Sequence, residues 1–240
     1  MSDITVIYYT ANKISAHFAE NTIRYLLASV GDIPLITVSQ APMTLGENIC
    51  VGDIGVSTRN IYRQALIGAR HATTTYIGMA EDDTLYSPEH FHHTPTPGMF
   101  AYNRNTQAIF TWTKPPTFSA KVPPRRNFCN LICERTLFIE AMEERFAKYP
   151  RDEDCPQPVE RVWGEPGRLE RNLGVTVRTT EDFVTDIPNV QFAHPEAFGF
   201  GHLGTRRRLG DVRTTELPHW GTAAKIVELY KAPVECHDTI

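Results

Sequence analysis

Three consecutive carboxylates, Glu81, Asp82 and Asp83, follow directly on a short apolar run at residues 75–80. Like charges this close repel one another, and a divalent cation that prefers hard oxygen ligands is the simplest species that offsets the repulsion. A Mg²⁺ or Mn²⁺ ion held there would keep open coordination positions, which a diphosphate could fill. The alternative is a solvated acidic turn after a strand, so the elements around the triplet must decide between the two.

The segments around the triplet alternate between strand and helix patterns. Residues 4–9 and 75–80 are predicted as buried strands, because both are nearly continuous apolar runs. Ser15 and Ser57 can each cap a helix with an apolar stripe, and residues 35–38 restore a strand between these helices. This order predicts a parallel α/β sheet. Ligands of such sheets bind beyond the carboxyl ends of the strands, where the triplet would lie, and this placement favours a metal site.

Composition disfavours several classes of protein. The 240 residues are 41% hydrophobic and 10% aromatic, as expected for a globular core, and the net charge of -4 gives no overall attraction to nucleic acid or anionic membrane. No apolar run reaches the length of a membrane-spanning helix. The five cysteines are scattered and odd in number, which disfavours a disulfide framework. Together with the lack of a signal-peptide pattern, this predicts a cytoplasmic protein, and nothing in the chain demands more than a monomer.

The loop after the first predicted strand lacks the glycines of the common nucleotide-binding motifs. Residues 9–13 read Tyr-Thr-Ala-Asn-Lys, so no Gly-x-Gly-x-x-Gly fingerprint follows this strand. The chain also contains no Gly-x-x-x-x-Gly-Lys phosphate loop. A sheet that binds a nucleotide through acids and a metal, with neither fingerprint, indicates chemistry on an activated sugar.

Three segments resemble the nucleotide-sugar half of the GT-A glycosyltransferases, especially small family 2-like members from bacteria and phages. They are the first strand at 4–9, residues 51–69 and residues 80–86. The triplet is similar to the Asp-x-Asp motif of that family, with Glu81 in place of its first Asp and Asp83 in place of its last.

This resemblance implies one α/β domain of the GT-A, or Rossmann-like, type, with a mixed sheet flanked by helices. Residues 1–110 would form the nucleotide-sugar-binding half, and residues 111–240 the acceptor-binding half. It also implies a metal-dependent hexosyl- or pentosyltransferase, with Mn²⁺ or Mg²⁺ as cofactor and a nucleotide-diphosphate sugar as donor. A phage-encoded member would act in the host cytoplasm.

The resemblance assigns the metal to Asp83, Glu81 and His194. Asp83 would bind it directly, and Glu81 would contact the ribose or, through a water, the metal. His194 ends a segment that looks like the late strand on which many GT-A enzymes carry a metal-ligating histidine, and a neutral imidazole suits Mn²⁺. His202 and His219 are the alternative ligands, and a strand-end histidine bonded to backbone is the structural alternative.

Contacts with the donor are expected at strand ends and at the start of the second helix, where backbone amides favour anions. Arginines after His194 could clamp the β-phosphate as a loop closes, unless they form a solvated basic loop. The residues assigned to the nucleotide sugar are Tyr9, Thr10, Asn12, Arg59, Asn60, Glu81, Arg206 and Arg208.

An inverting enzyme needs a carboxylate within hydrogen-bond reach of the acceptor hydroxyl. Glu165 is the candidate base, beside Trp163, which could stack on an acceptor ring. Glu181 and Asp182 are the other candidates for this base. Asp82 is also predicted to be a catalytic residue. A retaining enzyme would not need such a base, so the stereochemistry stays open.

The acceptor and the reaction class also stay open. Lys121, Arg125 and Arg126, with the arginines at 206–208, could form a basic groove for DNA, and the phage-like resemblance suggests a hydroxymethylated base in DNA as acceptor. A saccharide hydroxyl is the competing acceptor. A nucleotidyltransferase would also place carboxylates on an α/β sheet, and a non-catalytic nucleotide-sugar-binding module is the third class.

The second half carries two further helix patterns. Residues 135–146 and 223–230 each show an apolar stripe, and both helices are expected to pack on the core. A histidine-rich segment at 90–93, His-Phe-His-His, follows Ser87 and Pro88, which predicts a surface turn with solvated histidines.

Overall fold

The computed structural model describes residues 3–156, 163–197 and 209–231. Within these ranges the helices are α1 (Ala16–Val30), α2 (Thr58–His71), α3 (Arg135–Lys148), α4 (Glu170–Leu173) and α5 (Ala223–Glu228). The strands are β1 (Ile4–Thr10), β2 (Leu35–Ser39), β3 (Glu47–Cys50), β4 (Tyr76–Glu81), β5 (Thr84–Leu85), β6 (Met99–Asn103), β7 (Thr106–Phe110), β8 (Phe118–Ala120), β9 (Leu131–Glu134), β10 (Thr179–Phe183), β11 (Asn189–Ala193), β12 (Val212–Thr214), β13 (Glu216–Leu217) and β14 (Gly221–Thr222).

The larger sheet has the strand order β10-β6-β9-β4-β1-β2-β3, and every strand in it except β9 is parallel to β1. The carboxyl ends of β1 and β4 lie side by side, because the register pairs Tyr9 with Glu81. The predicted α/β class with a mixed sheet is therefore confirmed. The same register places the acid triplet at the carboxyl ends of the parallel strands.

A second sheet has the strand order β12-β8-β7-β11-β5. Its edge strand β5 directly follows the acid triplet in the sequence. Asp82 and Asp83 form the turn between β4 in the first sheet and β5 in the second. β5 pairs antiparallel with β11, and Phe192 of β11 donates its backbone N–H to the carbonyl of Asp83 over 2.8 Å. The end of β11 is thus held beside the triplet, and the next residue along the chain is His194.

β1 is buried along its whole length because helices cover both faces of its sheet. Ile7 belongs to the core cluster that contains the apolar face of α2, whereas Val6 and Tyr8 pack with residues of α1 on the other side. α2 approaches the sheet closely at Gly68, where an added Cβ would lie 2.5 Å from Cγ2 of Ile7. An alanine at this position would therefore have to displace the side chain of Ile7.

Both predicted helix starts are confirmed. Oγ of Ser15 accepts from the N–H of Phe18 over 3.3 Å, and Oγ of Ser57 accepts from the N–H of Asn60 over 3.1 Å. α3 and α5 also form where apolar spacing predicts them, and β11 forms in the segment before His194 that the resemblance identifies as a late strand. No helix in the described ranges is long and apolar enough to cross a membrane.

The histidine-rich segment departs from the predicted surface turn. His90 is fully buried, and its Nδ1 lies 3.2 Å from Nδ2 of Asn103 and 3.3 Å from Nδ2 of Asn189. His92, two residues on, is exposed as expected. The prediction was wrong for His90 because its polar partners come from β6 and β11, which are distant in the sequence.

Candidate active site

Three hydrogen bonds hold the first two carboxylates of the triplet. Oη of Tyr9 donates to Oε1 of Glu81 over 2.8 Å, and Oγ1 of Thr10 donates to Oδ2 of Asp82 over 2.5 Å. Nε2 of Gln191, on β11, lies 3.3 Å from the second carboxylate oxygen of Glu81 and donates to it. β1 and β11 therefore fix this end of β4 from the two sheets.

The surroundings of Asp82 favour its protonated form. Burial raises the pKa of Asp82 to about 6, with the negative charge of Asp83 adding to the effect. The hydrogen bond from Thr10 and the charge of His194 act in the opposite direction. In mildly acidic solution the turn therefore carries less negative charge than three exposed carboxylates would.

Asp83 faces the imidazole of His194 across the junction of the two sheets. Oδ2 of Asp83 lies 3.7 Å from Nε2 of His194, whose ring is buried. This separation is too long for a direct hydrogen bond, yet it is shorter than two Mg–O bonds of about 2.1 Å laid end to end. One cation can therefore bind both atoms. A carboxylate and an imidazole also suit Mn²⁺, so the pair fits two ligands of a Mg²⁺ or Mn²⁺ ion.

Glu81, the third predicted metal residue, is turned to Tyr9 and Gln191. Among the residues that the structure describes, no group of three or more His, Cys, Asp or Glu side chains is placed to hold a metal ion. A Mg²⁺ ion commonly takes one or two protein carboxylates and completes its shell with water and substrate phosphates. Two protein ligands thus suit an ion that binds together with a diphosphate better than a structural metal.

Glu196 and Tyr230 complete the environment of His194. Oε2 of Glu196 lies 3.0 Å from Nδ1 of His194, and it accepts from Oη of Tyr230 over 2.7 Å. Burial lowers the pKa of His194, but the negative charge of Asp83 and the hydrogen bond to Glu196 raise it, and the net direction is upward. Sequence reasoning missed both residues. Glu196 follows His194 by two positions, a usable signal, whereas Tyr230 belongs to an apolar helix stripe that conceals its polar role.

Tyr9, Thr10 and Asn12, which are predicted to contact the nucleotide sugar, bind protein groups at the end of β1. Tyr9 and Thr10 hold the triplet. Asn12 has the left-handed conformation, with φ of 55°, and its Oδ1 accepts from the N–H groups of Gln40 and Ala41 over 2.8 and 2.9 Å. Asn12 therefore braces the loop after β2. Contact of these three residues with a donor stays a prediction.

Gln64 is a positioning residue that sequence reasoning missed. Its buried side chain, on α2, donates to the carbonyl of Thr10 over 2.9 Å and to the carbonyl of Val38 over 2.8 Å. These bonds tie the ends of β1 and β2 together beside the triplet. A polar residue next to the apolar stripe of a predicted helix was the available signal.

At the start of α2, the polar side chains of Arg59 and Asn60 bind other groups of the protein. The guanidinium of Arg59 binds the carbonyl of Pro150 and lies 3.6 Å from Asp152. Nδ2 of Asn60 donates to the carbonyl of Ile54 over 2.6 Å. In the structure Arg59 and Asn60 thus support neighbouring loops, and none of these contacts involves the acid triplet. The donor contacts expected of Arg59 and Asn60 stay predictions.

Glu165 lies between two anchored residues. Arg145, buried on α3, donates to the carbonyl of Gly164 over 2.6 Å, and Tyr102, at the end of β6, donates to the carbonyl of Pro166 over 2.7 Å. The backbone around Glu165 is therefore held against the core, and its carboxylate accepts from the guanidinium of Arg168 over 2.8 Å.

Tyr62, a buried residue of α2, packs beside this loop. Burial raises the pKa of Tyr62 well above its usual value, and the negative charges of Glu165 and Glu81 raise it further. The two carboxylates therefore act on the same phenol. Trp163 packs with its ring 6.0 Å from that of Tyr62 and is only 3% exposed, so it offers no stacking face to an acceptor. The expectation for Trp163 is corrected: its indole is part of the core.

The remaining predicted residues lie in other contacts or outside the described ranges. Glu181 accepts a backbone hydrogen bond over 2.8 Å, and Asp182 binds Arg104 and Arg126, each over 2.7 Å, so both rivals of Glu165 make structural bonds on β10. His219 is exposed, beside β14. The predicted residues that lie outside the described ranges are His202, Arg206 and Arg208.

Comparison with protein-family models and with curated proteins finds no match. Among solved structures, the chain is similar to a nucleotidyl transferase from Methanothermobacter thermautotroptrophicus, with 14% identity and a TM-score of 0.40 over 77% of this chain and 88% of that one. It is also similar to a glycosyltransferase involved in the glycosylation of the major capsid of PBCV-1, with 9% identity and a TM-score of 0.44 over 78% of this chain and 91% of that one. The glycosyltransferase GlyE of Streptococcus pneumoniae TIGR4 matches with 8% identity and a TM-score of 0.44, over 75% of this chain and 44% of that one. Similarities at TM-scores this low carry no argument about the family or activity of this chain.

Proposed function

We propose that this protein is a metal-dependent glycosyltransferase, which moves a sugar from a nucleotide-diphosphate sugar to a hydroxyl acceptor. The observation that supports it is the pairing of Asp83 with His194 at the carboxyl ends of parallel strands, where ligands of α/β sheets bind. Two protein ligands leave room for a diphosphate on the same cation. The loop after β1 contains no glycine, which disfavours a nucleotidyltransferase that would hold its triphosphate on such a loop.

Transfer breaks the bond between the anomeric carbon and the diphosphate oxygen, and it forms a bond from that carbon to the acceptor oxygen. The electron pair of the broken bond leaves with the diphosphate. A Mg²⁺ or Mn²⁺ ion bound by Asp83 and His194 would supply Lewis-acid stabilisation of the departing diphosphate. Glu81, held by Tyr9 and Gln191, would accept a hydrogen bond from the ribose.

The acceptor hydroxyl loses a proton as it attacks, and an inverting enzyme takes that proton on a carboxylate. We assign this role to Glu165, because the anchored residues on both sides of it hold its backbone still. Asp82 accepts a hydrogen bond from Thr10, so we assign it the role of holding in place the turn that carries Asp83.

For the acceptor we favour a saccharide hydroxyl over a base in DNA. Arg104 and Arg126 both bind Asp182, and Lys121 lies near enough to Asp211 to lower the pKa of that carboxyl, after the hydrogen bond from a backbone N–H. Part of the positive charge that could attract DNA is thus neutralised by the carboxylates of Asp182 and Asp211. Activity on a saccharide should hardly change with salt, whereas binding of DNA should fall steeply as salt rises.

Asp83→Asn tests the proposal. This change should lower Mn²⁺-dependent release of nucleoside diphosphate from a panel of nucleotide sugars by about 100-fold or more, without unfolding the protein. Asp32→Asn, at an exposed aspartate in the turn after α1, is the matched control and should keep full activity.

Unchanged activity of Asp83→Asn would contradict the metal assignment. Release of pyrophosphate from a nucleoside triphosphate and a sugar phosphate would instead establish a nucleotidyltransferase. Binding of a nucleotide sugar with no transfer to any acceptor would establish a non-catalytic module.

A further inference from the structure

Oε2 of Glu196 receives two hydrogen bonds. Tyr230 donates its hydroxyl over 2.7 Å, and Nδ1 of His194 lies 3.0 Å from the same oxygen. An ionised carboxylate only accepts hydrogen bonds, so Nδ1 of His194 must carry the hydrogen. In the neutral ring the lone pair is then on Nε2, the atom that lies 3.7 Å from Oδ2 of Asp83.

The ring of His194 has little room to rotate. It is buried, and the rings of Phe18 and Tyr230 pack against it with centroid distances of 5.4 and 5.6 Å. Phe18 and Tyr230 also contact each other edge-on at 5.2 Å. Tyr230 therefore acts on the imidazole twice, by packing against it and by orienting the carboxylate of Glu196.

The position of Tyr230 is set by α1 and α5. Its N–H donates to the carbonyl of Val227, a buried residue of α5, over 3.1 Å. Asn21 of α1 donates from Nδ2 to the carbonyl of Leu229 over 3.0 Å. The phenol of Tyr230 is thus held by the packing of α1 and α5, two helices that are distant in sequence from the acid triplet.

We infer that Glu196 and Tyr230 are positioning residues, which keep the Nε2 lone pair of His194 directed toward Asp83 and ready for a divalent cation. The role of the cation rests on the proposed function. Histidines that bind metals usually donate their other ring N–H to a carboxylate or carbonyl, which fixes the tautomer and the ring orientation. The side chain of Glu196 is 46% exposed, so as a mere surface ion pair it would contribute little to stability and would not affect metal binding.

This role is tested by titrating Mn²⁺ alone into the full chain. The EPR signal of the free ion gives the dissociation constant of Mn²⁺. Glu196→Ala should weaken Mn²⁺ binding by about 10–100-fold. Glu196→Gln should recover part of the loss, because its amide oxygen still accepts from Nδ1 of His194 but lacks the charge. Tyr230→Phe should weaken binding by a smaller factor, because the ring packing remains. Glu228→Ala, at an exposed residue that pairs with Lys231, is the matched control and should bind as the wild type does.

A second measurement does not need the metal. Nitrogen NMR of the ring of His194, at a pH where the ring is neutral and with His194→Ala to assign the signals, should show hydrogen on Nδ1 in the wild type. Glu196→Ala should shift the tautomer toward hydrogen on Nε2.

Hydrogen on Nε2 in the wild type would overturn the inference. So would Mn²⁺ binding that His194→Ala abolishes but Glu196→Ala leaves unchanged, and that result would leave the proposed function intact. A protein that binds no Mn²⁺ but loses its Nδ1 tautomer in Glu196→Ala would overturn the proposed function while supporting the positioning of the ring.

Discussion

Acid should destabilise this protein through His90, and His90→Asn should remove that part of the pH dependence. Burial lowers the pKa of His90 from 6.5 to about 3, and the neighbouring His93 lowers it as well. The side-chain amides of Asn103 and Asn189 both donate to Nδ1, so the folded protein holds the ring in its neutral form.

The pKa difference gives the sign and the size of the effect. The unfolded chain protonates His90 below pH 6.5, whereas the folded protein does so only near pH 3. Its contribution to stability is therefore fully present above pH 6.5 and is lost as the pH falls through this window. One proton corresponds to roughly 1 kcal/mol of unfolding free energy per pH unit.

Urea unfolding at about pH 6.5 and about pH 4.5 measures this slope. When the pH falls from the higher to the lower value, the free energy of unfolding of the wild type should drop by about 2 kcal/mol more than that of His90→Asn. The asparagine keeps an acceptor oxygen for the two amides but loses the ring packing, so the slopes are compared and not the stabilities. His92→Asn, at the exposed histidine two residues on, should keep the slope of the wild type, because water reaches its ring in both states. Equal slopes in the wild type and His90→Asn would refute the reasoning.

Two further predictions concern the packing that supports the site. Gly68→Ala should lower the free energy of unfolding by about 1–3 kcal/mol, in spite of the better helix propensity of alanine, because the new Cβ meets Ile7 at 2.5 Å; a more stable variant in urea would contradict this. Glu170→Gln should cost about 3–5 kcal/mol, because it leaves Arg145 charged and buried without the carboxylate that lies 2.7 Å away. Glu143→Gln, at an exposed ion pair, should cost less than about 1 kcal/mol, and equal losses in the two variants would show that burial of the pair has no effect.

The elements around the acid triplet were predictable because their signals are local. A serine at the start of each of the first two helices, a continuous apolar run in β1 and apolar spacing in α2 lie within short windows of sequence. The nearness of Asp83 and His194, 111 positions apart, was expected only from the resemblance to GT-A enzymes, and the structure places them 3.7 Å apart.

Other features depend on contacts between distant parts of the chain and could not be read from spacing. Asn12 and Arg59 have the chemistry of ligand-binding residues, yet the structure uses them to brace loops, because their partners lie on other elements. The burial of His90 depends on Asn103 and Asn189, which supply the hydrogen bonds that make a buried imidazole tolerable. Tyr230 reaches Glu196 only because α5 packs beside β11 and α1.

The most direct test of the proposed function is a calorimetric titration of nucleotide sugars into the wild type, Asp83→Asn and the control Asp32→Asn, first with Mn²⁺ and then with a chelator. We expect one donor to bind the wild type and Asp32→Asn in the presence of Mn²⁺, and to lose that binding in Asp83→Asn or with the chelator. Equal binding of that donor by Asp83→Asn and the wild type, or binding that the chelator does not change, would contradict a metal site at Asp83 and His194.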